Sequence, residues 1–254
     1  MKIGIIGAGQ IGYNLAKKLA SRHEIKLAGS QLSAELVDKA ASIGVEAVDA
    51  KEAVKDVEVI ILSLPFKAIA EIKDLFNDIP QDVVIADTGN YYSWRDESIE
   101  AIEEGMVETV WVSQQLGRPV IKAFNNILIE TLIEEARPEG DLNRLAISVA
   151  GDSQQGKAII SGLINETGFD VVDAGDLSES WRQQPGSPAY CTELNHSELK
   201  AALDVAVKEK VPIDRDTIIE DFQSRDFDLS KEEKVKGCRS VHKEYFKTRG
   251  IIIS

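Results

Sequence analysis

Gly7, Gly9 and Gly12 stand at G-x-G-x-x-G spacing between a short apolar run, residues 2–6, and a segment with helical periodicity. Glycines at that spacing share a task. The first permits a tight turn, the second lets a pyrophosphate approach the backbone, and the third lets a helix lie close on the strand. The helix that follows presents unpaired N–H groups and the positive end of its dipole to phosphate. Ile11, Leu15 and Leu19 share one face of the following segment while Lys17 and Lys18 face outward. Strand, turn and helix are therefore all predicted. Gly7, Gly9, Gln10, Ile11 and Gly12 form the candidate pyrophosphate cradle of a dinucleotide.

The second strand's end selects the dinucleotide. Folds that prefer NAD place Asp or Glu there, about 20 residues after the glycines, on the ribose 2′-hydroxyl. Here the place is taken by Gly29-Ser30-Gln31. No carboxylate repels a 2′-phosphate, and Ser30 and Gln31 can donate hydrogen bonds to one. The expected cofactor is NADP. The turn has no arginine to pair with the phosphate, so NAD stays possible.

These residues need a scaffold, and the chain alternates strand and helix patterns. Segments 25–28, 46–48, 57–62, 83–86, 120–122, 145–150 and 169–172 read as strands, several of them as continuous apolar runs. Such runs indicate a parallel sheet covered on both faces. Helical patterns fill segments 34–42, 67–76, 95–104, 127–136 and 153–167. The last has Asp152 or Ser153 as cap, an apolar face at Ile159, Ile160, Leu163 and Ile164, and Gly168 as stop. The expected fold class is α/β: a doubly wound, Rossmann-type, mostly parallel sheet with helices on both faces. Beyond residue 190 come charged helical segments at 197–208, 214–223 and 231–247, and an apolar run, 251–253, that is a candidate strand. The expected division is a dinucleotide-binding domain, residues 1–190, and a C-terminal helical appendage, residues 191–254.

In an open parallel sheet, ligands sit beyond the carboxyl ends of the strands. The residues that follow the predicted strands are small or polar each time: 7–9, 29–31, 63–65, 87–90, 123–126, 151–152 and 173–176. All seven are expected on one edge, lining one cleft.

Composition excludes some partners. The formal net charge of −14 disfavours nucleic acid and anionic membrane surfaces. No apolar run reaches the roughly 18 residues of a membrane span, and the N-terminal apolar stretch is too short for a secretory signal. Cys191 and Cys238 lack C-x-x-C spacing and suit a reducing compartment. His23, His196 and His242 lack metal-ligand spacing, so no metal site is expected.

The chain resembles the NADP oxidoreductases that depend on the deazaflavin coenzyme F-420. The resemblance covers roughly residues 1–180. It is carried by 3–12, by Ala28-Gly29-Ser30, by Val59-Ile60-Ile61-Leu62-Ser63-Leu64-Pro65, by Val120-Ile121-Lys122-Ala123-Phe124-Asn125, and by Val149-Ala150-Gly151-Asp152 with the stretch 168–175. It implies that the glycine loop with Gln10 and Ile11 holds the pyrophosphate, that Ser30 meets the 2′-phosphate, and that Leu64 and Pro65 line the nucleotide. It also implies that the Ala123 backbone, with Asn125 beside it, orients the nicotinamide carboxamide. Two departures stand out. The family usually has arginine where Gln31 stands, and segment 178–190 does not match the deazaflavin enzymes. The pattern is that of a bacterial subgroup whose hydride acceptor differs.

Two loops are unusual connectors. Residues 89–96 contain Tyr91, Tyr92, Trp94 and Arg95, and residues 180–190 contain Trp181, Arg182, Gln183, Gln184 and Tyr190. Aromatic faces stack on planar rings, and arginine binds carboxylate or phosphate. The loops read either as an acceptor pocket, with Tyr190, Trp181 and Arg182 as its catalytic candidates, or as interface anchors. A carbonyl acceptor needs a proton donor, for which Tyr190 or Lys122 is available. A flavin-like ring needs none, because hydride passes between carbons held face to face. The leading expectation is a cytoplasmic, homodimeric NADP-dependent oxidoreductase acting on a flavin-like, deazaflavin or other small organic acceptor. The alternatives are a keto acid or imine reductase and a non-catalytic NADP-sensing module.

Overall fold

Ile3, Ile5, Val59 and Ile61 are fully buried on one face of a sheet, and Ile60 and Leu62 on the other. Each strand thus feeds two cores, which is why its sequence is apolar without alternation. In the computed structural model, which describes residues 1–224 and 231–250, eight strands form this sheet. They are β1 (Lys2–Ile6), β2 (Glu24–Ala28), β3 (Glu46–Val48), β4 (Val59–Leu62), β5 (Val84–Asp87), β6 (Ile121–Ala123), β7 (Ala146–Ala150) and β8 (Asp170–Asp173). Their order is β3-β2-β1-β4-β5-β6-β7-β8, and every pairing is parallel except β6 with β7.

Among the helices are α1 (Gln10–Leu19), α2 (Ala34–Ala41), α3 (Ala50–Ala53) and α4 (Ile69–Ile72), the last set in a run of 3-10 turns. Single turns α5 (Ser93–Asp96) and α6 (Glu100–Glu103) lead into α7 (Glu108–Leu116), followed by α8 (Ile129–Glu134) and α9 (Gln154–Glu166). Leu15, Leu19, Leu36 and Ile160 cover one face of the sheet, while Phe66, Ile69, Val112 and Leu116 cover the other. The doubly wound α/β fold is present. Ser153 caps α9 by accepting a hydrogen bond from the Gly156 N–H at 3.0 Å.

The reversal at β7 corrects the expectation of a single polar edge. Lys122 pairs with Ala150 and Ala123 with Val149, so β7 ends where β6 begins. β8 runs with β7. Gly151-Asp152 and residues 173–176 therefore leave the sheet at the opposite edge and do not join the glycine loop. The 3-10 segment Leu177–Gln183 brings the chain back. Its Leu177 N–H donates to Asp152 Oδ1 at 2.9 Å, and its Gln183 carbonyl accepts from Asn125 Nδ2 at 2.7 Å, beyond the end of β6.

Past residue 190, α10 (His196–Val205) opens with a capping box between Asn195 and Glu198. Its Leu199, Ala202 and Leu203 pack on Ala146 of β7 and Val172 of β8. Helices α11 (Val211–Ser224) and α12 (Lys231–Thr248) pack together through Ile218, Val241 and Phe246. Among the described residues no helix is long and apolar enough to cross a membrane. The candidate strand 251–253 lies outside the described residues.

Candidate functional site

The turn after β1 divides its labour among the three glycines. Gly7 has φ +113, and a Cβ there would lie 2.0 Å from the Ser63 carbonyl oxygen. A Cβ on Gly12 would lie 1.9 Å from the Gly7 carbonyl oxygen, so α1 can pack this closely on the turn only without a side chain. Above Gly9 a Cβ would meet nothing within 4 Å. That open space faces the start of α1, whose N-cap Gly9 offers no side-chain cap and whose first turn, beginning with Gln10 and Ile11, has no acidic residue. An uncapped helix start below an open glycine fits a pyrophosphate.

A groove of about 480 Å³ extends from this turn. Gly7, Gly9, Ser30, Gln31, Leu64 and Pro65 line it, as the residue pattern predicts. Lys39 lines it too, and sequence reasoning missed this residue. It sits two turns into α2, with its ammonium 5.2 Å from the Tyr13 ring centroid. The signal lay in helical periodicity, since α2 starts just past the β2 turn and carries Lys39 to the end of the groove held by Ser30 and Gln31. Glu35 lines the same stretch, so that end of the groove has one charge of each sign.

The ends of β5 and β6 meet in an amide network. Asn125 Nδ2 donates to Asn90 Oδ1 at 2.9 Å and to the Gln183 carbonyl at 2.7 Å. Gln183 Nε2 donates to Asn125 Oδ1 at 2.8 Å, and Asn90 Nδ2 to the Asn125 carbonyl at 3.0 Å. Asn125 is buried, and Ala123 beside it is held in the β6–β7 pairing. The Asn125 side chain thus ties three distant segments together. Phe124 carries φ +61 as the chain leaves β6.

Tyr190 joins this end of the sheet through its neighbours. The Cys191 N–H donates to the Asn126 carbonyl at 3.0 Å, and Asn126 Nδ2 to the Ala189 carbonyl at 3.4 Å. The Tyr190 and Tyr92 hydroxyls are 2.7 Å apart, and the Tyr190 ring lies 5.7 Å from that of His242. Burial, then the neighbouring Cys191 and Tyr92, push the Tyr190 hydroxyl well above the usual range, so it keeps its proton at neutral pH.

The structure does not bring Trp181 or Arg182 to the groove. Trp181 packs with Val107, Ala206 and Val211. Arg182 stacks on Trp181 at 4.4 Å, donates from Nε to Glu179 Oε2 at 2.9 Å, and donates from Nη1 to the Leu203 carbonyl of α10 at 3.0 Å. Trp94 is 70% exposed. Lys122 is not a cleft residue. It is fully buried, donates to Asp87 Oδ2 at 2.8 Å and also donates to the Gly89 carbonyl.

The chain is 44% identical over 91 residues to the protein YjhV of Escherichia coli K12. That match takes 36% of this chain and 59% of the other, so the chain spans about three-fifths of that relative. It is 26% identical over 196 residues to the F420-dependent NADP reductase of Methanocaldococcus jannaschii, covering 71% of this chain and 86% of that one. The crystal structure of protein SMa0349 from Sinorhizobium meliloti superposes with a TM-score of 0.66 at 28% identity, covering 77% of this chain and 95% of that one. The family model of the coenzyme F420-dependent NADP oxidoreductases matches residues 2–91 of the chain.

Proposed function

We propose that the protein is an NADP-dependent oxidoreductase that moves hydride between the nicotinamide and a flavin-like, deazaflavin or other small organic acceptor. The observation that carries this reading is the chemistry beyond the ends of β5 and β6. Asn90, Asn125 and Gln183 are amides bonded to one another, and Tyr92 and Tyr190 are phenols. Such groups position a ring without exchanging protons at neutral pH, which suits hydride transfer between carbons. When bound, the cofactor would supply the redox chemistry, NADPH donating hydride or NADP+ accepting it. The glycine turn and α1 would hold its pyrophosphate, Ser30, Gln31 and Lys39 its 2′-phosphate, Leu64 and Pro65 its body, and Ala123 with Asn125 its carboxamide end. The reading treats residues 1–190 as the dinucleotide-binding domain and 191–254 as the appendage, in a cytoplasmic homodimer.

The Tyr92–Tyr190 hydroxyl pair favours a second reading, a keto acid or imine reductase with Tyr190 as proton donor. Stopped-flow oxidation of NADPH against flavins, deazaflavin, keto acids and cyclic imines separates the two. Turnover with ring acceptors that survives Tyr190→Phe supports the first. Turnover with keto acids or imines alone, lost in Tyr190→Phe, replaces it with the second. Tight NADPH binding with no turnover on any acceptor overturns both in favour of a sensing module.

Lys39 gives a sharper test of the cofactor. A charge-assisted contact to the 2′-phosphate contributes about 1.5–3 kcal/mol. Lys39→Ala should raise the KM for NADPH about tenfold or more and leave NADH unaffected. Equal losses with both cofactors would remove Lys39 from the 2′-phosphate.

A further inference from the structure

A second cavity, of about 330 Å³, lies between the start of α7, the chain at 181–185 and the first turns of α11. It shares no lining residue with the glycine groove. Residues 183 and 184 separate the two regions, since the Gln183 side chain bonds Asn125 while Gln184 lines the cavity. Val107, Trp181 and Val211 provide its apolar wall.

Two buried polar groups on this cavity have capacity to spare. Arg215 lines it with a side chain only 8% exposed. Its Nε is taken by Asp216 Oδ1 at 2.7 Å, but its two terminal nitrogens make no hydrogen bond among the described residues. The Gln184 amide nitrogen is buried and also lacks a partner among the described residues. A half-turn of the amide exchanges its nitrogen and oxygen with little change of shape. The start of α7 lines the cavity as well, and its N-cap Val107 provides no side-chain cap. A buried donor without an acceptor, as Gln184 Nε2 is, is costly to maintain and implies an acceptor not supplied by the chain, while the Arg215 terminal nitrogens are accessible in the same cavity. A guanidinium edge beside an uncapped helix start accepts a carboxylate in two parallel hydrogen bonds. Glu108 and Glu209 also line the cavity, which disfavours a second negative charge on the occupant.

We propose that this cavity is a binding site for a small organic monocarboxylate. Its carboxylate lies on Arg215 and Gln184, and its apolar body lies against Trp181, Val107 and Val211. The site shares no lining residue with the nucleotide groove, so nucleotide binding and acid binding can be measured separately.

Isothermal titration of the 254-residue chain with benzoate and with isovalerate tests it, with benzyl alcohol and acetate as controls. Saturable binding of one carboxylate is expected, at least tenfold tighter than either control and unchanged by saturating NADP. Arg215→Gln should weaken it at least tenfold. Gln184→Ala should weaken it severalfold without lowering the thermal midpoint, because no partner is lost, and this variant decides the matter if Arg215→Gln does not fold. NADP affinity should be the same in both variants. Failure of both acids to bind saturably, competition by NADP, or binding indifferent to the folded variants would overturn the proposal.

Discussion

Lys122→Met is expected to cost about 3–5 kcal/mol of folding stability, the range for breaking a buried ion pair from one side. The Lys122 and Asp87 side chains are 0% and 1% exposed. Among the described residues the ammonium is the only cation bonded to that carboxylate, which also accepts from the Gly89 N–H at 2.9 Å and the Thr109 hydroxyl at 3.2 Å. Methionine fills the same space and leaves Asp87 charged and dry, so the loss is electrostatic rather than one of packing. Lys122 also holds the Gly89 carbonyl, next to Asn90 of the amide network. Nucleotide affinity should therefore fall along with stability. Denaturant unfolding of Lys122→Met, Asp87→Leu and the double variant measures the coupling. The double variant should lose less than the sum of the singles, yet recover only in part, because the Gly89 N–H and the Thr109 hydroxyl then lack their acceptor. A loss below about 1 kcal/mol in Lys122→Met would sink the ion-pair account.

Sequence reasoning met its limits at specific places. The first half of the sheet was legible because β1 and β4 are buried on both faces, which leaves continuous apolar runs. The glycine turn was legible because each of its three positions carries a separate steric demand. Helix α7 was not read at all. Glu108, Thr109, Val112 and Leu116 are buried, and it is enclosed on several sides, so no 3.6-residue period survives. The stretch Val110-Trp111-Val112 favours a strand by local propensity. Only Gly117, in the left-handed conformation at the C-cap, marked a helix end.

The direction of β7 was equally hidden. An apolar strand has the same pattern running either way, so Gly151-Asp152 and residues 173–176 were assigned to the wrong edge. Asn125 was found, but its bonds to Asn90 and Gln183 cross 35 and 58 residues of sequence and depend on tertiary folding. Trp181 and Arg182 stand out by residue type, yet type alone does not distinguish a ring on the nucleotide groove from one beside α11. Lys39 was not legible because it lies on the helix leaving the turn, eight residues beyond Gln31, and reaches the groove only once α2 is formed.

Glu108→Gln should remove a decline in stability that the wild-type protein shows as pH rises from about 4.5 to about 7. Burial, the largest cause, raises the Glu108 carboxyl from its ordinary 4.5 to about 7. Lys122, the Tyr91 N–H and Arg215 pull it down, and Asp87 pushes it up. The unfolded chain releases this proton first. The contribution of Glu108 is therefore complete below about 4.5, shrinks as pH rises toward 7, and is flat above. At about 1.4 kcal/mol per pH unit the decline amounts to about 3 kcal/mol. Glutamine has the shape of the protonated acid and still accepts the Tyr91 N–H through its carbonyl oxygen. Wild type and variant should match near pH 4.5, and the variant should be the more stable above pH 7, by about 3 kcal/mol. Unfolding midpoints at pH 5, 6, 7 and 8 give the difference directly, and taking the difference cancels the titration of other carboxylates. Parallel curves would place the Glu108 pKa near its ordinary value and remove the burial argument. Because Lys122 lowers this pKa, Lys122→Met should carry the decline to higher pH. The same difference measured in that background would show whether ammonium and carboxyl interact across the buried end of β5.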